Sequence, residues 1–213
     1  MEPVADSKSS KDTKISEVKI LVVSDTHGSL KAWEKLSSLV NLKQFTSIFH
    51  LGDVLYHGPR NPLPDGYDPR TLSEKLKVQN IQYIRGNCDA DVDLKVLGLE
   101  EMAKVSMEYI SNFTFILVHG EIFEENDIIE FLRGKEVNIL IYGHTHIPRM
   151  EIIEGKLVLN PGSISLPKNG TPRSFLILEI EGNLLTAKFM NVDNGQVYME
   201  GKWRLNNSSL LKE

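Results

Sequence analysis

Residues 19–28, KILVVSDTHG, hold the pattern that decides the fold. Lys19 to Ser24 is a continuous aliphatic and β-branched run, which reads as a buried strand. It stops at Asp25-Thr26-His27-Gly28, where side chains able to bind metal follow directly on the apolar ones. Leu30, Trp33, Leu36 and Val40 then recur at helical spacing, with Ser29 placed to cap the helix. Strand, polar turn and helix in that order form the opening unit of an α/β sheet.

Working outward, the unit repeats. Ser47 to Leu51 is a second strand that ends at Gly52-Asp53, and Ile81 to Arg85 a third that ends at Gly86-Asn87-Cys88-Asp89. Between them lies a loop broken by Pro59, Pro62, Pro64 and Pro69, after which Asp68 and Pro69 read as N-cap and first residue of a helix through Leu72 and Leu76. Val105, Met107 and Tyr109 alternate as in a strand, and Phe113 to Val118 forms the next, ending at His119-Gly120. Asn126 to Arg133 suits a short helix stopped by Gly134. Val137 to Tyr142 ends at Gly143-His144-Thr145-His146, and Lys156 to Leu159 is a further strand. From Ser174 the chain reads as a β meander with turns at Gly182–Asn183 and Asn194–Gly195. A βαβαβ half followed by mostly β structure predicts two packed sheets with helices outside, in one domain over residues 18–213. Residues 1–17, polar and mixed in charge, read as a flexible tail with no signal peptide.

Composition excludes several function classes. The net charge is -5, and no run of Lys and Arg offers a surface to nucleic acid or anionic lipid. No apolar stretch approaches the roughly eighteen residues of a membrane span. The single cysteine, Cys88, forms no internal disulfide, which suits a reducing cytoplasm. The apolar C-terminal meander offers an edge through which two copies could pair.

The strand ends carry the chemistry. In open α/β sheets ligands gather at the carboxyl ends of the strands, so five strands deliver Asp25, His27, Asp53, Asn87, His119, His144 and His146 to one rim. Nitrogen and oxygen donors without a thiolate suit a pair of divalent ions such as Mn²⁺, Fe²⁺ or Zn²⁺. Two such ions, set against the carboxylates of Asp25 and Asp53 and one bridging hydroxide, leave a charge of about +1 that attracts an anion. Phosphate ester hydrolysis is the natural reading.

The motifs DTHG, GDV, GNCD, HGE and GHTH, in this order, resemble those of the calcineurin-like metallophosphoesterases. LGDVLYHGPRNPLPDGY, RGNCDADVD, YGHTHIP and NPGSIS are closer still to the small bacterial YfcE-like phosphodiesterases. The resemblance implies an αββα sandwich of two mixed β-sheets flanked by helices. It implies one metal held by Asp25, His27, Asp53 and His146, and the other by Asp53, Asn87, His119 and His144, with Asp53 bridging. Manganese is the ion it points to, with Fe²⁺, Zn²⁺ or Ni²⁺ as alternatives, and a small phosphodiester is the substrate. Asp53, Asn87 and Cys88 are the expected catalytic residues. Most of the superfamily has His where this chain has Cys88, a weak proton donor, so the site should favour esters whose leaving group needs little help.

Other polar residues are read more plainly. His50 lies three residues before Asp53, on the opposite face of its strand, and reads as a core or surface histidine. His57, Arg60 and Asn61 sit in the proline-rich loop, where exposed loop polarity competes with substrate contact. Asn160, Gly162 and Ser163 suit a turn, which in related proteins lies near the metal rim. The alternative to a phosphodiesterase is a protein-interaction scaffold, since the small subunit of retromer has this fold; every expected ligand position here holds a competent ligand, which favours the enzyme.

Overall fold

The structure, a computed structural model, describes residues 17–123, 127–207 and 209–213. The expected N-terminal tail lies outside the described residues except for Glu17. Strand β1 (Val18–Val23) leads through α1 (Leu30–Leu39) to β2 (Ser47–His50), then through α2 (Pro69–Lys77) to β3 (Gln82–Tyr83). These three strands are parallel. Helix α3 (Asp91–Leu97) precedes β4 (Val105–Ile110) and β5 (Phe113–Val118); α4 (Ile128–Leu132), β6 (Ile139–Tyr142), β7 (Arg149–Ile153) and β8 (Lys156–Asn160) follow. The chain closes with β9 (Ser174–Glu181), β10 (Leu184–Asn191), β11 (Val197–Asn206) and β12 (Ser209–Lys212).

Two mixed sheets result. One runs β12-β11-β10-β9-β1-β2-β3, its meander antiparallel and joined to the parallel strands through the β1–β9 pair. The other runs β4-β5-β6-β8-β7, parallel at its centre and antiparallel at both edges. Strand periodicity separates the layers. Ile20 and Val22 of β1 meet Phe113, Phe115 and Leu117 of β5 in the core between the sheets, while Leu21 and Val23 face Trp33, Leu36, Leu72 and Leu76 of α1 and α2. On the far side Ile116 and Val118 pack with Ile128 and Leu132 of α4. This is the expected αββα order, with its outer layers unequal: three helices cover the larger sheet, and the five-residue α4 lies on the other.

Helix caps form as the sequence predicts. The Ser29 side chain accepts from the Ala32 amide, and Asp68 accepts from Thr71 with Pro69 at the first turn. The expected helix from Asn126 is Ile128–Leu132, and Asn126 itself lies outside the described residues. The third strand shrinks to two residues, with Ile84 bridging Ala103 beyond it. Helix α3 and strand β7 have no counterpart in the sequence reading. Val92 and Val96 of α3 face solvent, which blurs its helical period, and β7 is a five-residue edge strand whose alternation is too short to stand out.

Phe115 is fully buried between the sheets, whereas Val105 on edge strand β4 is largely exposed. Phe115→Ala should cost about 3–5 kcal/mol in urea-induced unfolding, and Val105→Thr should stay within about 0.5 kcal/mol of the parent.

Candidate metal centre

The rim is assembled by loops that continue the sheet pairing past the strand ends. The amides of Asp25, His27 and Gly28 donate to the carbonyls of Gly52, Asp53 and Val54 at 3.1, 2.8 and 2.8 Å. Within these loops Asp25, His27, Asp53, His144 and His146 all take left-handed backbone, with φ between 49° and 65°. Such a backbone costs about 1–3 kcal/mol for a non-glycine residue and persists only where the surroundings fix it. Its concentration on expected ligands turns consecutive side chains toward one point. Gly52 is needed for a separate reason: at φ 100°, a Cβ there would lie 2.5 Å from the Gly86 nitrogen and 2.9 Å from His119 Nδ1.

The side chains form two groups that share Asp53. In the first, Asp25 Oδ1 lies 3.3 Å from His146 Nε2 and 3.7 Å from His27 Nε2, and His27 Nε2 lies 3.6 Å from Asp53 Oδ2. In the second, Asp53 Oδ1 lies 3.4 Å from His119 Nε2, which stands 3.2 Å from Asn87 Oδ1 and 3.3 Å from His144 Nδ1. All seven expected donors are thus brought together, and most are buried.

These residues fit divalent cations. The Nδ1 atoms of His27, His119 and His146 each face a backbone carbonyl, of Tyr56, Leu51 and Leu166, at 2.8, 2.7 and 2.5 Å. A carbonyl only accepts, so each ring carries a proton on Nδ1 and turns Nε2 inward toward the other donors. His27 Nε2 and His146 Nε2 consequently face each other at 3.1 Å. Asp25 Oδ1 is buried with no hydrogen-bond donor, although its Oδ2 accepts from Ser24 Oγ and the His144 amide. An orphaned carboxylate oxygen among inward-facing imidazole nitrogens is a place for positive charge.

The electrostatics agree. Burial opposes ionisation of Asp25, but His146, His119 and His27 outweigh it and hold the carboxyl well below its usual range. Burial also opposes ionisation of Asp53, and His119 again prevails. Burial disfavours a charged His119, yet its hydrogen bond to Asp53 and the nearby carboxylates push it up to about 9. Burial lowers His27, and burial with the neighbouring His119 lowers His144. Protonation of His119 therefore offsets part of the carboxylate charge in the metal-free site.

Cys88 borders the first group, within reach of His27 and Asp53. Burial, then the charge of Asp53, pushes its thiol up to about 12, so it stays neutral. The cavity above the donors has a volume of about 670 Å³ and is lined by Asp53, Asn87, Cys88, His144 and His146 together with Arg60, Asn61, Tyr56, Thr145 and Lys168. Arg60 and Asn61 line it. His57 does not line it: its ring is set edge-on between Tyr56 and Tyr67, at centroid distances of 4.9 and 5.4 Å. His50 is a core histidine, 2.7 Å from Thr26 Oγ1 and accepting from the Gly52 amide, and so ties together the loops that carry His27 and Asp53.

Several residues of the quoted motifs support the rim rather than supply donors. Asp89 is buried and accepts from the amides of Asp53, Val54 and Gly86. Ser163 and Ser165 both donate to the Asp25 carbonyl, and Asn160 to that of Gly143, which brings the NPGSIS turn under the rim. Lys168 follows that turn, and nothing in the sequence separates it from the other exposed lysines.

Comparison with known proteins bears on this arrangement. Residues 18–183 match the model of the calcineurin-like phosphoesterase superfamily domain. Phosphodiesterase YfcE of Escherichia coli is 36% identical over 164 residues, which cover 76% of this chain and 88% of that protein. A probable metallophosphoesterase of Methanothermobacter thermautotrophicus is 29% identical over 174 residues, 79% of this chain and 90% of that one. The solved structure of the Escherichia coli phosphoesterase YfcE superposes with a TM-score of 0.74 at 32% identity, covering 86% of this chain and 98% of that chain. Vacuolar Protein Sorting 29 from Cryptosporidium parvum shares the fold alone, with a TM-score of 0.66 at 19% identity over 89% of this chain and 99% of that one.

Metal loading must displace the His119 proton, because a coordinating imidazole is neutral. With His119 charged below about 9, apparent Mn²⁺ affinity should rise with pH between 7 and 9, by up to about tenfold per unit for one proton. Calorimetric titration in buffers of different ionisation enthalpy should register that proton at pH 7.5. Mn²⁺ binding that released no proton would contradict the assignment of His119.

Proposed function

Because this chain belongs to the calcineurin-like phosphoesterase superfamily, we propose that it is a phosphoric diester hydrolase working with two divalent metal ions. The observation that carries the reading is the pair of donor groups meeting at Asp53, with Asp53 Oδ2 toward His27 and Oδ1 toward His119. Asp25, His27, Asp53 and His146 would hold one ion, and Asp53, Asn87, His119 and His144 the other. Mn²⁺ heads the candidates, followed by Fe²⁺, Zn²⁺ and Ni²⁺, because the donors are nitrogen and oxygen. When bound, such ions supply Lewis acidity toward phosphoryl oxygens and make water acidic enough to act as a nucleophile near neutral pH.

The protein's own part is positioning and charge. Arg60 and Lys168 flank the cavity and favour an anionic ester there. Asn61 Nδ2 donates to the His57 carbonyl, fixing the loop that presents Arg60. Support for a diester comes from two sources. The cavity has room for a phosphate with an arm on either side, and Cys88, held neutral, offers poor protonation to a departing alkoxide. Both favour small diesters with acidic leaving groups.

Chelation should abolish hydrolysis of an aryl phosphodiester and Mn²⁺ should restore it, while Asp53→Asn should lower kcat/KM by about 10³ or more by removing the shared charge. Turnover that survived chelation, or that was undiminished in folded His119→Ala and His144→Ala, would favour the scaffold reading instead. Cys88→Ala should cost less than about tenfold on aryl diesters. Cys88→His, which installs a group of pKa about 6.5, should raise alkyl ester relative to aryl diester hydrolysis by up to about 10² in kcat/KM.

A further inference from the structure

A second cavity, of about 410 Å³, opens beside the metal-facing one and shares Tyr56 and Cys88 with it. Its walls include Leu55, Tyr56, Tyr67, Pro69, Val92 and Val96. Of the polar groups along it, Ser73 Oγ donates to the Arg70 carbonyl and an Asp93 oxygen accepts from the Ala90 amide at the start of α3, while the Arg70 side chain lines the groove as a charged group. Apart from Arg70, what the groove presents is mainly apolar. Val92 and Val96, four residues apart on one face of α3, are 61% and 43% exposed, and the Tyr56 ring is 43% exposed. Apolar side chains left open along a concave wall mark a binding surface more often than isolated surface hydrophobes do.

The wall is rigidly tied to the metal centre. The Tyr56 carbonyl accepts from His27 Nδ1 at 2.8 Å, so the residue whose ring divides the two cavities also orients a metal-facing imidazole. The His57 ring is wedged edge-on between Tyr56 and Tyr67 and holds both against the groove. This accounts for a histidine in the proline-rich loop that faces away from the metal-facing cavity. A phosphate placed over the donors can extend an arm past Tyr56 and Cys88 without leaving the protein surface.

We propose that this groove is the subsite for an aromatic arm of the phosphodiester, aryl or nucleobase, packed between the tyrosine rings and the valines of α3. The proposal rests on the phosphodiesterase reading. Two tyrosine rings favour a planar aromatic partner over an aliphatic chain through offset or edge-on ring contacts. The volume suits a single ring system.

The test uses ligands that cannot turn over or are products. The Mn²⁺-loaded protein is titrated calorimetrically with methylphosphonate, phenylphosphonate and thymidine 5′-monophosphate. At least one aromatic ligand should bind about tenfold or more tightly than methylphosphonate, through ring burial. In Val92→Ser/Val96→Ser, and in Val96→Trp, which fills the groove, that advantage should shrink to about threefold or less. The valines are exposed, so both variants should fold, as circular dichroism and Tm will verify. The ligand that loses its advantage identifies the arm as directly attached aryl or nucleobase. If none of the three binds in a metal-dependent way, the phosphodiesterase reading fails. If methylphosphonate binds but neither aromatic ligand gains, or the gain survives both variants, the groove proposal alone is overturned.

Discussion

The carboxylate of Asp53 has to face two groups of donors at once, and most of the rim follows from that demand. Its oxygens lie 3.6 Å from His27 Nε2 and 3.4 Å from His119 Nε2, on rings carried by different sheets. To serve both, Asp53 leaves β2 with a left-handed backbone, and its amide is held by a buried Asp89 oxygen at 2.9 Å. The Cys88 amide donates to Asp53 Oδ1 at 2.8 Å, locking the carboxylate from the third loop. Gly86 lies so close that a Cβ there would sit 2.3 Å from the same oxygen. A side chain larger than hydrogen at that position would displace the one group both halves of the site share.

Holding Asp25 and Asp53 together without water has an electrostatic cost, and the structure balances it locally. His119, pushed up to about 9, carries a positive charge between them, while burial keeps the imidazoles of His27 and His144 biased toward neutrality. Asp89, raised to about 6 by burial, is stabilised by three backbone amides. The site is thus assembled by strained backbone and by hydrogen bonds that mostly leave the donors' inward-facing atoms free, the Cys88 amide on Asp53 Oδ1 being the exception. The sandwich core beneath, closed by Phe113, Phe115 and Leu117 against Ile20 and Val22, supplies the stability that keeps such strain in place.

Strand ends were legible because two signals coincide there: an apolar run fixes the strand, and the polar residues after it must lie at the rim. Ser29 and Asp68 were legible for a similar local reason, since a cap is decided within one helical turn. Helix α3 escaped because Val92 and Val96 point outward, against the rule that an amphipathic helix turns its apolar face to the core. The same departure exposes the groove, so the failed reading and the apolar wall have one cause. His57 and Lys168 were not legible because their surroundings form only when the loops that carry them fold. His57 is sandwiched by rings on either side of the proline-rich loop, and the Lys168 amide reaches the His146 carbonyl at 3.3 Å across the NPGSIS turn.

Fold and chemistry separate cleanly in this architecture. Vacuolar Protein Sorting 29 from Cryptosporidium parvum superposes over 89% of this chain at 19% identity, a likeness of frame alone. The frame follows from alternation along the strands and three layers of burial, none of which involves Asp25, Asp53 or the histidines. What the frame does supply is the rim: parallel strands whose ends lie side by side, with carbonyls and amides left over to be paired. Asp25, His27 and Gly28 pair theirs with the β2 loop, and that pairing aims the ligands inward. A chain could keep the frame and lose the donors one at a time with little effect on its core. That this chain keeps all seven, with Asp25, His27, Asp53, His144 and His146 on left-handed backbone and His119 held through Nδ1 by the Leu51 carbonyl, is the physical basis for reading the rim as a candidate working site.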